Sequence, residues 1–150
     1  MARLHRSITG FLVALAAIVL AAPLASADEV EFDNHVVYYN AINTTFLSPE
    51  VARAYDVRRS ANRAMLNITV MERTEDGLRA VPADITGNAQ NQYQQVRNLR
   101  FREVRDGDAV YHLAEVSVRG RDTMLFELEI VPQDSEETLS LEFTREFYGD

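Results

Sequence analysis

No cysteine occurs anywhere in the chain, and that absence closes off more chemistry than any single residue present opens. Disulfides, thiolate zinc sites, iron–sulfur clusters and thiol nucleophiles all require it. Packing and backbone hydrogen bonds must therefore hold the fold unaided. Lysine is missing too: all 15 basic residues are arginine, which excludes a Ser-x-x-Lys catalytic pair. An all-arginine set reads first as genomic base composition and second as selection for bidentate carboxylate contacts. Histidine is limited to His5, His35 and His112. The last two stand far apart, without zinc-ligand spacing, so no metal site is expected. No serine sits in a G-x-S-x-G elbow, and the six glycines stand singly rather than in a phosphate-cradling loop. Catalytic residues and cofactors are accordingly expected to be none, and an enzyme is the less favoured reading.

What is present begins with an export signal. Arg3, His5 and Arg6 form a short basic head, Phe11 to Ala22 an unbroken apolar body, and Ala25-Ser26-Ala27 a small-residue exit after Pro23. That sequence of features describes a cleavable secretory signal peptide over residues 1–27. Its apolar body is shorter than the roughly 20 residues that span a bilayer, so no stable membrane insertion is expected after cleavage. The mature chain, 28–150, has the length of one domain. It retains thirteen arginines against all 23 acids, a net charge near −10. Such a field disfavours nucleic acid and anionic membrane surfaces. With so many acids, carboxylate pairs arise by chance, and none is marked out for glycosidase-like chemistry.

Strand signals dominate the mature chain. Val36–Phe46, Ala64–Met71, Ala109–Val118, Met124–Val131 and Leu139–Tyr148 are rich in β-branched and aromatic residues. Met124, Phe126, Leu128 and Ile130 alternate with Glu127 and Glu129, the pattern of a strand with one wet face. Asp106-Gly107, Arg119-Gly120 and Pro132-Gln133-Asp134-Ser135 supply turns. This spacing predicts a meander in which Leu99–Val104, Ala109–Val118, Thr123–Val131 and Thr138–Tyr148 pair successively. One exception stands out: Ser48-Pro49-Glu50 opens a short helix, with Ser as cap, Pro at the first position and Glu at the positive dipole end. The run Asn88–Gln95 reads as a strand end passing into a loop. Fold class is therefore all-β, a single antiparallel, immunoglobulin-like β-sandwich of about seven strands with one short helix.

Two polar groups are candidates for binding. Asn40, Asn43, Thr44 and Thr45, with Asn62 and Asn67 further on, cluster around the strand-to-helix corner. Short amides and hydroxyls there satisfy irregular backbone first, and line a ligand corner second. Candidate binding residues are Asn40, Asn43, Thr44, Thr45, Arg53, Asn62 and Arg63. Arg97, Arg100, Arg102 and Arg105 flank Leu99 and Phe101, but strand alternation turns the arginines to solvent, where ion pairs add little.

The words Tyr38–Tyr55, Arg59–Ile68, Phe101-Arg102-Glu103-Val104, Tyr111-His112-Leu113-Ala114-Glu115 and Glu146-Phe147-Tyr148 resemble a family of exported gammaproteobacterial proteins, domain of unknown function family 4426. Asp56 falls where that family favours Gly after the helix, and Tyr39 where His is common. The resemblance implies a Gram-negative periplasmic setting and carries no activity, cofactor or catalytic residue. The preferred expectation is a periplasmic, non-enzymatic binding module for another protein or envelope component. Two alternatives are a small carboxylate- or metal-dependent hydrolase, and a chaperone-like module that pairs through a sheet edge.

Overall fold

The structure is a computed structural model that describes residues 27–150; the expected signal peptide lies outside the described residues except for Ala27. Its strands are β1 (Asp28–Glu31), β2 (His35–Asn43), β3 (Arg63–Thr74), β4 (Gly77–Ala80), β5 (Ala83–Gln90), β6 (Val96–Asn98), β7 (Arg102–Asp106), β8 (Ala109–Ser117), β9 (Arg121–Pro132) and β10 (Leu139–Tyr148). A 3₁₀ turn (Thr44–Phe46) and helix α1 (Pro49–Ala54) interrupt them. One sheet has the order β1-β2-β3-β8-β7, with β4 also on β3; the other runs β10-β9-β5-β6. Every pairing is antiparallel. Among the described residues no helix is long and apolar enough to cross a membrane.

The alternation of the sequence becomes the core. Ala64, Leu66, Ile68 and Val70 of β3 face Met124, Phe126, Leu128 and Ile130 of β9 within one cluster. Phe126 is its hub, stacked on Phe143 at 4.9 Å between centroids and edge-on to Phe147 at 6.2 Å. Phe143 in turn lies 4.5 Å from Tyr39 on the opposite sheet, joining the layers by aromatic contact. A second cluster covers the outside of the six-stranded sheet, where Leu47, Ala52 and Val57 pack on Met65, Tyr111 and Leu113. For that reason β8 is buried on both faces from Val110 to Ala114.

The sandwich of the sequence reading stands, with ten strands in place of about seven and with altered connections. β8 pairs with β3 and β7 rather than with β9. Both of its edges are taken, so Gly120, at φ +54°, turns the chain from one sheet into the other. The expected strand Leu99–Val104 divides at the same kind of crossing. Leu99 is buried between the sheets with its N–H on Gly87 O at 2.9 Å, while Arg102–Asp106 joins β8. The β2 strand ends at Asn43 rather than Phe46, where Thr44 and Asn43 turn their side chains onto a neighbouring loop. The expected β9–β10 pairing, from Leu139 opposite Ile130 to Tyr148 opposite Arg121, is present, and residues 91–95 form a turn after β5.

Two positions test this geometry with opposite signs. A Cβ at Gly87 would lie 2.3 Å from Glu127 O and 2.6 Å from Leu128 Cδ2. Gly87→Ala is expected to destabilise by about 3 kcal/mol, the cost of forcing an extra carbon into a filled space. Asp56, at φ +53°, occupies the left-handed region that glycine prefers. Asp56→Gly is expected to stabilise by about 0.5 kcal/mol. Chemical denaturation of both variants measures the two shifts.

Candidate binding groove at one end of the sandwich

The groove is built from the corner between β2 and β3. Ser48 caps α1, accepting from Val51 N–H at 3.2 Å, with Pro49 and Glu50 in the first turn as the sequence predicts. Six residues make a helix too short to persist alone. It is held from outside: the Arg102 guanidinium donates to Tyr55 O and, at 3.2 Å, to Asp56 O. The loop after it returns toward β2. Thr44 Oγ1 accepts from Ser60 N–H at 2.8 Å and donates to Ser60 O at 3.1 Å. Asn43 Nδ2 donates to Ala61 O at 3.3 Å and to Tyr148 O at 3.1 Å, which ties three distant segments together.

Those ties leave a groove of about 450 Å³ lined by Arg58, Ser60, Asn62, Arg63, Ser117 and Arg119, with Val118 and Asp150 completing its wall. Arg63 lies opposite Ser117 in register, and Val118 N–H reaches Asn62 O at 2.9 Å, so β3 and β8 form its floor. Asn62 Oδ1 accepts the Asp150 N–H at 3.1 Å. Gly149 passes so close that a Cβ there would meet Ala61 O, Asn62 Oδ1 and Val118 O, each at 3.2 Å. Arg63 pairs with Glu115 at 3.5 Å. Arg58 and Arg119 are exposed, and no acidic group among the described residues lies within ion-pair distance of either.

The predicted residues divide accordingly. Asn62 and Arg63 line the groove, while buried Asn43 and Thr44 brace the loop behind it. Thr45 joins that corner through its carbonyl, which accepts from Arg59 at 3.2 Å. Asn40 and Arg53 stand apart: Asn40 lies opposite Asn67 midway along β2, and Arg53 is exposed, donating to Pro49 O at 3.3 Å. Sequence reasoning missed Arg58, Ser60, Ser117 and Arg119. Arg119 was read only as part of a turn, and nothing local marks it as a neighbour of Arg58. Arg97, Arg100, Arg102 and Arg105 are exposed, as the strand alternation predicts, and Arg102 also supplies the clamp on α1.

A smaller cavity of about 30 Å³ lies under Leu47, Val51 and Tyr55 and above Asn40, Met65 and Asn67. That is space for a water molecule or two rather than a ligand. Its Tyr55 and Tyr111 rings are 5.8 Å apart. Burial, then the neighbouring Tyr111 and Asp106, pushes the Tyr55 phenol up to about 12. Burial likewise raises Tyr111. Phenols held protonated in this way donate hydrogen bonds rather than act as bases.

Comparison with known proteins bears on this arrangement directly. Residues 29–150 match the family described as Domain of unknown function (DUF4426). The chain belongs to that family. A solved DUF4426 protein from Pseudomonas aeruginosa is similar at 29% identity and a TM-score of 0.71, over 84% of this chain and 98% of that one. FetP of uropathogenic Escherichia coli, expressed in the periplasm, shares the fold at 9% identity and a TM-score of 0.58, over 82% and 94% of the two chains. A copper-bound FetP variant gives 10% and 0.57, over 82% and 95%. No curated protein matches this chain.

Among the described residues no three His, Cys, Asp or Glu side chains converge. His35 and His112 lie on opposite sides of β3, opposite Glu72 and Ile68. Both ring nitrogens of buried His112 are engaged. Nε2 accepts from Ala83 N–H at 3.1 Å, so Nδ1 carries the proton and donates to Ile68 O at 3.1 Å. The ring thus ties β8 to the opposite sheet.

Burial lowers the pKa of His112 from its ordinary 6.5, against the smaller opposing effect of the Ile68 carbonyl. Below pH 6.5 the unfolded chain therefore takes up a proton that the folded chain refuses, and stability falls with pH from there toward the depressed value. A thermal melt is expected at lower temperature at pH 5.5 than at pH 7.5. In His112→Gln this dependence is expected to flatten, on a lower baseline.

Proposed function

We propose that this DUF4426 protein is an exported, periplasmic, non-enzymatic binding module for another protein or an envelope component, with the groove end of the sandwich as its contact face. One observation carries the reading. A domain of net charge near −10 gathers Arg58, Arg63 and Arg119 around one open groove, and two of these guanidiniums have no acidic partner among the described residues. Unneutralised arginine on an acidic domain is the composition of a recognition surface. Aromatic anchors flank the same corner: Phe46 is 78% exposed beside Thr45, and Tyr148, whose carbonyl Asn43 holds, is 64% exposed. Exposed aromatics together with arginine carry much of the energy at protein interfaces.

The basic head, apolar body and small-residue exit of residues 1–27 support export, and expression of the fold relative FetP in a periplasm agrees with it. A hydrolase would need displaced ionisable groups lining the groove. The raised phenols lie elsewhere, Tyr55 and Tyr111 beside α1 and Tyr38 on β2. Of the sheet-edge strands β1, β7, β10 and β6, the longest is β10, and its solvent side carries Glu142 and Glu146, charges with which edge strands resist pairing.

In-cell photocrosslinking tests the face. Photoreactive residues at Thr45 and Ser117 are expected to give a discrete adduct in the periplasm, while Glu129, on the opposite sheet, gives none. Equal yields from all three positions would count against a dedicated face.

A further inference from the structure

The chemistry of the groove specifies its ligand more narrowly, resting on the reading of that end as the contact face. We propose that it takes an extended acidic peptide segment, its carboxylates on Arg58, Arg63 and Arg119 and its backbone on Ser60, Asn62 and Ser117. A guanidinium presents paired N–H donors that match a carboxylate edge to edge. Ser60, Asn62 and Ser117 add neutral donors and acceptors around them, which suit peptide amides as well as side chains.

Spacing favours an extended chain. Arg63 stands opposite Ser117 in register, and Arg119 lies two residues beyond Ser117. Two residues of chain reach at most about 6.8 Å past the end of β8, so Arg119 stands within the spacing that separates alternate side chains on one side of an extended peptide. A segment with acids at alternate positions meets both at once. Arg63 exchanges its half-buried partner Glu115 at 3.5 Å for the incoming carboxylate. Arg58 and Arg119 have no described partner to exchange.

A membrane phosphate would meet the same three guanidiniums, but approach to an anionic bilayer sets the whole domain, near −10, against the surface charge. A flexible acidic segment brings only its own charge into the groove. Asp150 acts against the arginines. It lines the groove with its N–H held by Asn62 Oδ1, so its carboxylate has the ligand's sign and opposes binding. Arginine loss and Asp150 neutralisation should therefore act in opposite directions, which a merely structural role would not produce.

The test titrates protein purified from periplasm into a labelled peptide of alternating Ser and Glu, read by fluorescence anisotropy at about 0.02 M and about 0.15 M salt. Controls are the Gln-for-Glu peptide, inorganic phosphate and phosphatidylglycerol vesicles. Expected are binding that weakens with salt, a loss of about threefold to tenfold in Arg58→Ala and in Arg119→Ala, tightening of about twofold in Asp150→Asn, and no change in Glu129→Gln. Melting curves verify that the variants stay folded. Equal binding of the Gln peptide overturns the proposal. Arginine-dependent binding of phosphate or vesicles at concentrations where the peptide does not bind overturns it as well. A crosslinked adduct at Thr45 and Ser117 that survives Arg58→Ala and Arg119→Ala would keep the contact face and remove the carboxylate chemistry.

Discussion

Aromatic contact across the sandwich is the constraint on which the other features depend. Without cysteine the two sheets must be joined by packing alone, and the chain Phe147–Phe126–Phe143–Tyr39 does this across the layer boundary. Each such ring removes a large apolar area from water, and fully burying a Phe side chain is worth about 1.5–3 kcal/mol before the ring geometry adds to it. Polar ties reinforce the junction at chosen points. One such tie is His112, which reaches from β8 to the Ala83 N–H of the other sheet. A mobile junction would leave the groove undefined, because its floor belongs to one sheet while Asp150, at its rim, follows directly from the β10 strand of the other.

The groove itself is a by-product of how the chain turns its corners. After β2 the backbone makes a 3₁₀ turn, a six-residue helix and an irregular return before β3 begins. Irregular backbone must find partners, and here Asn43, Thr44 and Asn62 supply them to residues 60, 61, 148 and 150. Satisfying that loop fixes Ser60 and Asn62 in place and presents Arg58 and Arg63 on one wall. Structural and functional readings of the polar cluster are therefore not rivals. The buried members make the frame and the exposed ones the surface.

Electrostatics sets the groove end of the domain apart. Most acids are spread over the wet faces of strands, where Glu127, Glu129, Glu142 and Glu146 keep the sheets soluble. Several arginines are neutralised locally, such as Arg79 by Glu72 at 2.5 Å and Arg145 by Asp28 at 3.0 Å. Among the arginines without an acidic partner in the described residues, Arg58 and Arg119 are set apart by lining a concave site together. Exposed ion pairs add little to stability. Forgoing them at Arg58 and Arg119 therefore costs the fold little and leaves their charge available to a partner.

Much of the architecture was legible in the residues. Alternation of Met124, Phe126, Leu128 and Ile130 against glutamates specifies a half-buried strand whatever surrounds it, and Ser48-Pro49-Glu50 specifies a helix start by local backbone chemistry alone. Family membership was legible as well, through words such as Tyr38–Tyr55. Which strands pair was not. Alternation tells a strand which face is apolar, not which neighbour it meets, so β8 was assigned to β9 when both of its edges belong to β3 and β7. The groove was half legible: Asn62 and Arg63 are marked by their polar neighbourhood, whereas Arg58 and Arg119 meet only because β3 and β8 lie side by side. By itself the sequence determined the composition of each face, the helix cap and the family, since these rest on contacts within a few residues. Only the tertiary structure decided the sheet order and the convergence of the arginines, since those depend on pairings between segments some fifty residues apart.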